Sequence, residues 1–349
     1  LPRLRSRSPL EQVRAAGTVP VQRGAPHRLS TTAVETWLGC PFRYFGERVL
    51  GIEEVAEPES RYALDPLQRG TLIHRILEAV VRSNGNATPG EVPAAKTAAV
   101  ELARTELARL RARMGAASAS RRFWLERELS RIEREVARFV EMDADFTAQS
   151  GGTVGLERKL EKPYQFTATH GRDATVTLVG KIDRLDLKDG RLAVIDYKTG
   201  SWDGYRVGNR PEPHKVQLAL YAWLLEEVAD SEFGADASHI TGWYWFISER
   251  KGYRRLEVGP DELAELAEVA SMAIGAMEAG LFPPGAHDNG SGYGCSYCDP
   301  LTGTDTWRRK LLADALIGGE PGDGHGAPIE GEFWQRFFTV TEGGNGAGA

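Results

Sequence analysis

The chain has 349 residues, of which 41% are hydrophobic and 26% charged, and its formal net charge is −6 at pH 7. This composition is typical of a globular protein with one large or two ordinary domains. Because no run of roughly 18 apolar residues is present, a membrane-spanning segment is excluded. The acidic total does not indicate a general affinity for nucleic acid. Three cysteines are too few for a disulfide framework, so we expect a reducing, cytoplasmic compartment and consider the cysteines as metal ligands.

The sequence divides into a basic N-terminal segment, a central domain and a glycine-rich tail. Residues 1–29 carry six arginines and one glutamate, which predicts a disordered linker. Residues 30–317 have the apolar patterning of a folded domain, whereas residues 318–349 contain ten glycines. Since the chain starts at Leu1 rather than Met, we expect it to be a domain of a longer protein.

Apolar periodicity predicts helices in the first half of the domain and a sheet in the second. Ser30 is a typical N-cap for a first helix that runs into Cys40. The other predicted elements are helices over 66–83, over 92–148 (one or two, broken near Gly115), over 214–229 and over 260–280, and strands from about 153, in a hairpin over 175–196 and over 239–248. This order favours an α/β or α+β fold with one core sheet.

The predicted hairpin brings three charged residues together. If Asp189 and Gly190 form the two-residue loop, Asp183 lies directly opposite Asp196, with their Cβ atoms roughly 5 Å apart. Lys198 lies two residues beyond Asp196, so it projects from the same face of the sheet. Two carboxylates and an ammonium group therefore meet on one patch.

Two adjacent carboxylates repel unless they are protonated or bridged by a cation. A hard divalent ion such as Mg²⁺ prefers oxygen ligands and assists attack on a phosphoryl group. The alternative is a surface hairpin in which Asp183 pairs with Arg184 or Lys181 and Lys198 is solvated. The apolar run 192–197 argues against it, because a free carboxylate at Asp196 would be costly there.

Four segments carry a resemblance to a known family. Residues 180–184 (GKIDR) and 194–200 (VIDYKTG) strongly resemble the PD-(D/E)XK nuclease superfamily, and look most like its RecB/AddB branch. Residues 69–78 match the branch's R-G-x-x-x-H segment, and residues 217–222 match its Q-x-x-x-Y helix. The resemblance implies a restriction-endonuclease-like core, with a central mixed sheet flanked by helices and an N-terminal helical insertion. The helical region would be 92–148, and 153–310 would hold the catalytic core and the C-terminal cysteine segment.

The resemblance also implies roles for individual residues. Positions that match the branch's motifs are the metal ligands His74, Asp183, Asp196 and the Tyr197 carbonyl, the catalytic lysine Lys198, and the orienting residues Gln217 and Tyr221. Mg²⁺ or Mn²⁺ would be the catalytic ion. Glu157 is a weaker candidate for a further acidic residue at the edge of the site. Outside this context, His74, Gln217 and Tyr221 would be interpreted as ordinary helix residues.

The three cysteines match part of a second pattern of the AddB-like branch. There, one N-terminal cysteine and a C-terminal C-x₂-C-x₅-C hold a [4Fe–4S] cluster, with thiolates as its ligands. Cys40, Cys295 and Cys298 match three positions, but the fourth falls at Thr304. Three alternatives stay open: a cluster with an unusual fourth ligand or an open iron, a degenerate site with Zn²⁺ or nothing, and buried thiols without metal. The role would be structural in each metal case.

Candidate nucleic-acid contacts combine aromatic rings with cations, a pattern that suits single strands. They are Trp202, Tyr205, Arg206, Arg210, His214 and Lys215, together with the helical arginines Arg104, Arg109, Arg111, Arg113, Arg121 and Arg122. The alternatives are a loop that packs on the core and a solvated helix face.

The leading hypothesis is a divalent-metal-dependent DNA exonuclease that acts on single-stranded or unwound ends in double-strand-break repair and recombination. Relatives of the AddB kind carry this domain in a helicase-like subunit, so a helicase subunit or domain is the expected partner. The chain itself has no G-x-x-x-x-G-K-[ST] loop for ATP. The alternatives are a stand-alone exonuclease resembling CRISPR-adaptation nucleases and a DNA-binding structural module whose nuclease activity has decayed.

Overall fold

The structure is a computed structural model that describes residues 28–52, 66–85, 87–114, 119–167, 173–207, 210–249, 252–278 and 282. The predictions for residues 1–27, for the tail over 318–349 and for Cys295 and Cys298 lie outside the described residues.

The first described residues form a strand and a helix. Strand β1 (Arg28–Ser30) precedes helix α1 (Thr31–Gly39), and Ser30 Oγ accepts a hydrogen bond from Ala33 N, as the predicted N-cap requires. The short helix α2 (Pro41–Tyr44) continues into a π-helical turn over Phe45–Val49. The prediction of a disordered linker over residues 1–29 is wrong for the last two residues of that range. Arg28 and Leu29 belong to β1, because the neighbouring strand offers an edge for parallel pairing and Leu29 becomes buried.

A layer of three helices covers one face of the sheet. These helices are α3 (Pro66–Asn84), α4 (Val92–Met114) and α5 (Ala119–Ser150). The region predicted as one or two helices is therefore two, and residues 115–118 between them lie outside the described ranges. The helices share a core with the sheet that includes Ile76, Ala99, Leu129 and Phe139.

The central sheet has six strands and mixed pairing. It contains β1, β2 (Gly152–Thr167), β3 (Asp173–Lys188), β4 (Arg191–Lys198), β7 (Thr241–Phe246) and β8 (Arg254–Val258), while β5 (Arg206–Val207) and β6 (Arg210–Pro211) form a separate pair. The opposite face is covered by α1, α6 (Gln217–Phe233) and α7 (Pro260–Glu278). A hydrophobic core lies on each face of the sheet, and side chains along β4 alternate between the two. Val194 packs in the core with α1, α6 and α7, and Ile195 packs in the core with α3, α4 and α5. The expected sheet flanked by helices is confirmed.

Strand β3 has a gap along one of its edges. Its first edge pairs with β2 over nearly its full length. On the other edge, β1 pairs with residues 177–179 and β4 with residues 184–188. Residues 180–183 therefore face an opening in the sheet between β1 and β4.

No helix within the described ranges is both long enough and apolar enough to cross a membrane.

Candidate active site

The predicted hairpin register between β3 and β4 is confirmed. The last hydrogen-bonded pairs on either side are Lys188↔Arg191 and Arg184↔Ile195, and both loop residues have positive φ, 50° at Asp189 and 73° at Gly190. These angles are those of a type I′ turn, which suits the twist of a hairpin. Asp183 and Asp196 are the next two positions along the strands.

The β3–β4 ladder ends at the two aspartates, because a side chain rather than a backbone carbonyl accepts the next hydrogen bond from β4. Asp183 Oδ2 accepts a hydrogen bond from Tyr197 N at 2.8 Å, so the strands separate here. Asp183 and Asp196 are both buried, with 8% and 3% of their surface exposed. Both line a cavity of 560 Å³ that opens at the gap in the sheet.

Asp196 is the most strongly perturbed carboxyl group of the site. Burial raises its pKa to about 6, the charge of Asp183 acts in the same direction, and the Lys198 ammonium group opposes both. Asp196 Oδ2 lies 2.5 Å from Lys198 Nζ. Lys198 thus offsets the charge of a buried carboxylate.

A second group of ligand atoms lies around Asp183. One ligand atom each of His74, Glu157 and Asp183 lies within 4.8 Å of the other two. His74 Nδ1 is 3.0 Å from Asp183 Oδ1. Burial opposes protonation of His74, but the hydrogen bond and the charge of Asp183 outweigh it, so the His74 pKa is raised. A histidine and two carboxylates at this spacing suit a divalent cation.

Glu157 reaches this group through an unusual backbone conformation. Its φ is 52°, in the left-handed region that glutamate rarely adopts. The β2–β3 ladder is interrupted at this position, between the pairs Leu156↔Arg184 and Arg158↔Ile182. Glu157 therefore stands opposite Asp183, and its carboxylate forms an ion pair with Lys181. Such strained residues concentrate at functional sites.

A chain of hydrogen bonds fixes Lys198. Its Nζ donates to Gln217 Oε1 at 2.7 Å, and Gln217 Nε2 donates to Tyr221 OH at 2.7 Å. Tyr221 OH in turn donates to the Lys181 carbonyl at 2.8 Å, inside the gap of β3. Burial opposes the charge on Lys198, but Asp196 outweighs this effect, so the Lys198 pKa is raised and the side chain is an ammonium group.

Gly180 makes room for this chain. A Cβ atom at residue 180 would lie 2.7 Å from Leu224 Cδ1 and 2.9 Å from Tyr221 Cε1. Only glycine lets α6 approach β3 closely enough for Tyr221 to reach the strand.

One contributor to the site has no motif that would have revealed it. Glu35 of α1 accepts a hydrogen bond from Gln217 N at 2.9 Å, so it caps the first turn of α6 from another helix. The charge of Glu35 also helps raise the Lys198 pKa. Glu35 and Gln217 are 182 positions apart, so no local sequence pattern could indicate this contact.

Two buried ion networks, likewise missed in the sequence, hold the helical layer against the sheet. Arg184 is fully buried and pairs with Asp143 of α5 and with Asp186. Arg69 of α3 pairs with Glu128 and Glu135 of α5, which fixes the helix that carries His74. Burial raises the pKa of Glu135, while Arg69 lowers it.

The candidate aromatic contacts pack partly on the core. Tyr205 meets Tyr244 and Phe246 edge-on, with ring centroids 4.8 and 5.0 Å apart, and Arg254 lies over the Trp202 ring at 4.4 Å. Lys215 Nζ lies 4.8 Å from the centre of the Tyr205 ring.

The candidate cations of the helices and of the 206–214 segment show mixed placements. Arg206 is half-buried, and His214 lies 3.1 Å from Glu212. Arg104, Arg109 and Arg111 are each paired with glutamates of the helical layer. This pairing favours the solvated-face alternative for those three. The side chains of Arg113, Arg121, Arg122 and Arg210 lie outside the described residues.

Cys40 is buried at the junction of α1 and α2, where its Sγ accepts a hydrogen bond from Arg43 N at 3.4 Å. Because Cys295 and Cys298 lie outside the described residues, the iron–sulfur and zinc hypotheses stay predictions.

Comparisons with known proteins agree on the family. A model of the PD-(D/E)XK nuclease superfamily matches residues 28–300. One subunit of the ATP-dependent helicase/deoxyribonuclease of Moorella thermoacetica is 32% identical over 206 residues, which cover 55% of this chain and 17% of that protein. The subunit of the same name from Streptococcus agalactiae is 28% identical over 179 residues, covering 50% and 14%.

The chain thus spans about a sixth of the length of these relatives. Among solved structures, a protein from Eubacterium rectale described as a candidate exonuclease gives a TM-score of 0.41 at 13% identity, over 80% of this chain and 94% of that one. A likeness at this level assigns no role to any residue. The family model, by contrast, extends over more than half of the chain and includes the hairpin, His74 and Gln217. This chain belongs to the PD-(D/E)XK nuclease superfamily.

Proposed function

We propose that the chain is a divalent-metal-dependent nuclease that hydrolyses phosphodiester bonds of DNA, preferably in single-stranded or unwound ends. The observation that carries the proposal is the convergence of His74, Glu157, Asp183 and Asp196 with Lys198 in one cavity. Two of these carboxylates, Asp183 and Asp196, are buried, and carboxylates gathered in one cavity repel each other unless cations offset their charge.

The residues present fit a hard divalent cation such as Mg²⁺ or Mn²⁺. The donor set of carboxylates and one imidazole has the chemistry these ions accept. His74, Glu157, Asp183 and Asp196 would hold the ion, with the Tyr197 carbonyl as a further candidate. When bound, the ion would polarise a phosphoryl oxygen and acidify a water molecule.

The chain's own side chains supply positioning and charge. Lys198 keeps its ammonium group beside Asp196, where it can bind a phosphate oxygen and stabilise the negative charge that develops during hydrolysis. Gln217 fixes the direction of Lys198, and Tyr221 fixes Gln217. His74 orients the Asp183 carboxylate from the helical layer.

The biological setting is proposed from the relatives. Their names describe subunits of an ATP-dependent helicase/deoxyribonuclease, so we infer that this chain is the nuclease domain of such a subunit. Its partner would be a helicase subunit or domain, and its role the processing of double-strand breaks for recombinational repair. A stand-alone exonuclease would use the same site.

The test is cleavage of end-labelled single-stranded DNA by the purified chain with Mg²⁺, with Mn²⁺ or with EDTA. We expect cleavage with either ion, none with EDTA, and a loss of at least about 100-fold for Lys198→Ala. Lys188→Ala is the matched control, since Lys188 lies at the far end of the same hairpin and donates to the Ala148 carbonyl. Equal activity of Lys198→Ala and Lys188→Ala would refute the assignment, and no cleavage by the wild type would favour the decayed DNA-binding module.

A further inference from the structure

A second cavity of 480 Å³ adjoins the candidate active site. The two cavities share Thr32, Lys181 and Tyr221 as a common wall. The second cavity, here called the basic cavity, lies where β1 and the start of α1 meet β2 and β3, and its polar lining includes Arg28, Ser30, Thr32, Lys159, Glu161 and Lys181. The two cavities are therefore adjacent, and the hydrogen bond from Tyr221 OH to the Lys181 carbonyl lies in their common wall.

The balance of charge differs between the two cavities. The active-site end contains four carboxylates, those of Glu78, Glu157, Asp183 and Asp196, and three cations, Arg75, Lys181 and Lys198. The basic cavity contains three cations and one carboxylate, Glu161, together with the hydroxyl groups of β1 and α1. Cations therefore outnumber carboxylates in the basic cavity but not at the active-site end, so the basic cavity attracts a polyanion more strongly.

The lysines of the basic cavity are arranged in a way that the fold alone does not explain. Lys159 and Lys181 are direct neighbours on the adjacent strands β2 and β3, and like charges at such positions destabilise a sheet. Lys181 is paired with Glu157, and Arg28 is paired with Glu161 at 2.5 Å. Within the described part of the chain, Lys159 forms no ion pair and its side chain is exposed to solvent. Lys159 therefore presents an unpaired positive charge to the basic cavity, and an anion bound there would pair with it.

We propose that the basic cavity binds the phosphate backbone of the substrate strand, within one to three nucleotides of the bond that is cleaved. This inference rests on the proposed function and adds the path that the strand takes through the molecule. Lys159 and Arg28 contact phosphate oxygens, and Thr32 lies on the wall that the two cavities share. Because contacts to phosphate carry no base information, the basic cavity binds any sequence.

The first experiment measures binding without cleavage. A fluorescent oligothymidylate is titrated with the full chain carrying Lys198→Ala in EDTA, at several salt concentrations. Adding Lys159→Ala should reduce the magnitude of the slope of log K against log salt by about 0.7, the value for one phosphate contact on a single strand. Arg158→Ala is the matched control, because this neighbour on β2 pairs with Glu232 on α6 and lines neither cavity. Equal slopes for Lys159→Ala and Arg158→Ala would overturn the proposal.

The second experiment locates the contact along the strand. A neutral methylphosphonate is placed at successive positions of the oligonucleotide, and its cost in affinity is measured with and without Lys159→Ala. We expect one position, within three nucleotides of the cleavage site mapped with the active chain, at which the modification no longer matters once Lys159 is removed. No such position, a remote one, or inorganic phosphate competing as strongly as the oligonucleotide would each overturn the proposal.

These outcomes are separable from those of the cleavage test. If Lys198-dependent cleavage is observed but the salt slopes are equal, the proposed function stands and the basic cavity is not a strand site. If the slopes differ as expected but the wild type does not cleave, binding stands and the nuclease activity fails.

Discussion

Gly180→Ala perturbs the point at which α6 meets β3. The added Cβ atom would lie 2.7 Å from Leu224 Cδ1 and 2.9 Å from Tyr221 Cε1. Leu224 can move the end of its side chain, but the Tyr221 ring is rigid and its hydroxyl is bonded to Lys181 and Gln217. Overpacking of this kind costs about 1–3 kcal/mol. The lower chain entropy of alanine in the unfolded state offsets roughly 0.5–1 kcal/mol, which leaves a net loss of about 0–2.5 kcal/mol with a central value near 1 kcal/mol.

Urea denaturation measures the loss of stability, and cleavage of single-stranded DNA measures the effect on the site. Because Tyr221 must shift, Gln217 loses its fixed position, so activity should fall together with stability. Gly275→Ala is the control of opposite sign: it lies inside α7 with no atom within 4 Å of the added Cβ, so it should stabilise the chain by about 0.5–1 kcal/mol. A Gly180→Ala protein as stable and as active as the wild type would refute the argument that α6 needs glycine at this position.

Three further predictions concern residues around the site. Glu35→Ala removes the acceptor for Gln217 N, so it should lower the cleavage rate and reduce the free energy of unfolding by about 1 kcal/mol, the value of a lost helix cap. Glu35→Gln keeps an acceptor and should retain more of both. Steady-state kinetics and urea denaturation measure the two effects. Arg184→Met leaves two carboxylates buried without their partner and should destabilise the chain by about 3–5 kcal/mol. Arg134→Met breaks an exposed ion pair and should change the urea midpoint little. Equal urea midpoints for the two variants would contradict the stabilising role of the Arg184 ion pairs. Since the pKa of Asp196 is raised to about 6 and that of His74 is also raised, protons compete with the cation at both groups, so Mn²⁺ affinity measured by calorimetry should fall from pH 7 to pH 5. Asp196→Asn should remove only the part of this dependence that Asp196 contributes.

The hairpin at the centre of the site could be predicted because local chemistry determines it. Asp189 and Gly190 adopt positive φ at little cost, and the apolar run of β4 fixes which residues face inward. The positions of Asp183, Asp196 and Lys198 follow from this register. His74 and Gln217 were found only through the resemblance to a family, since neither stands out on its own helix.

The rest depends on contacts that no local pattern encodes. Glu157 enters the site through a left-handed backbone conformation at an interruption of the ladder, which alternation along β2 does not predict. Glu35 and Arg184 act on partners that are distant in the sequence, so the residues next to them give no sign of these contacts. Strand β1 forms only because β3 extends beyond β4 and leaves an edge for it.

The central claim is that Asp183 and its neighbours bind a divalent cation while Lys198 acts on the phosphate. Calorimetric titration of Mn²⁺ into the wild type, Asp183→Asn and Lys198→Ala, with each protein also assayed for cleavage, tests this division directly. We predict that Asp183→Asn loses both Mn²⁺ binding and cleavage, whereas Lys198→Ala keeps the cation and loses only cleavage. Mn²⁺ binding to Asp183→Asn with wild-type affinity would contradict the claim.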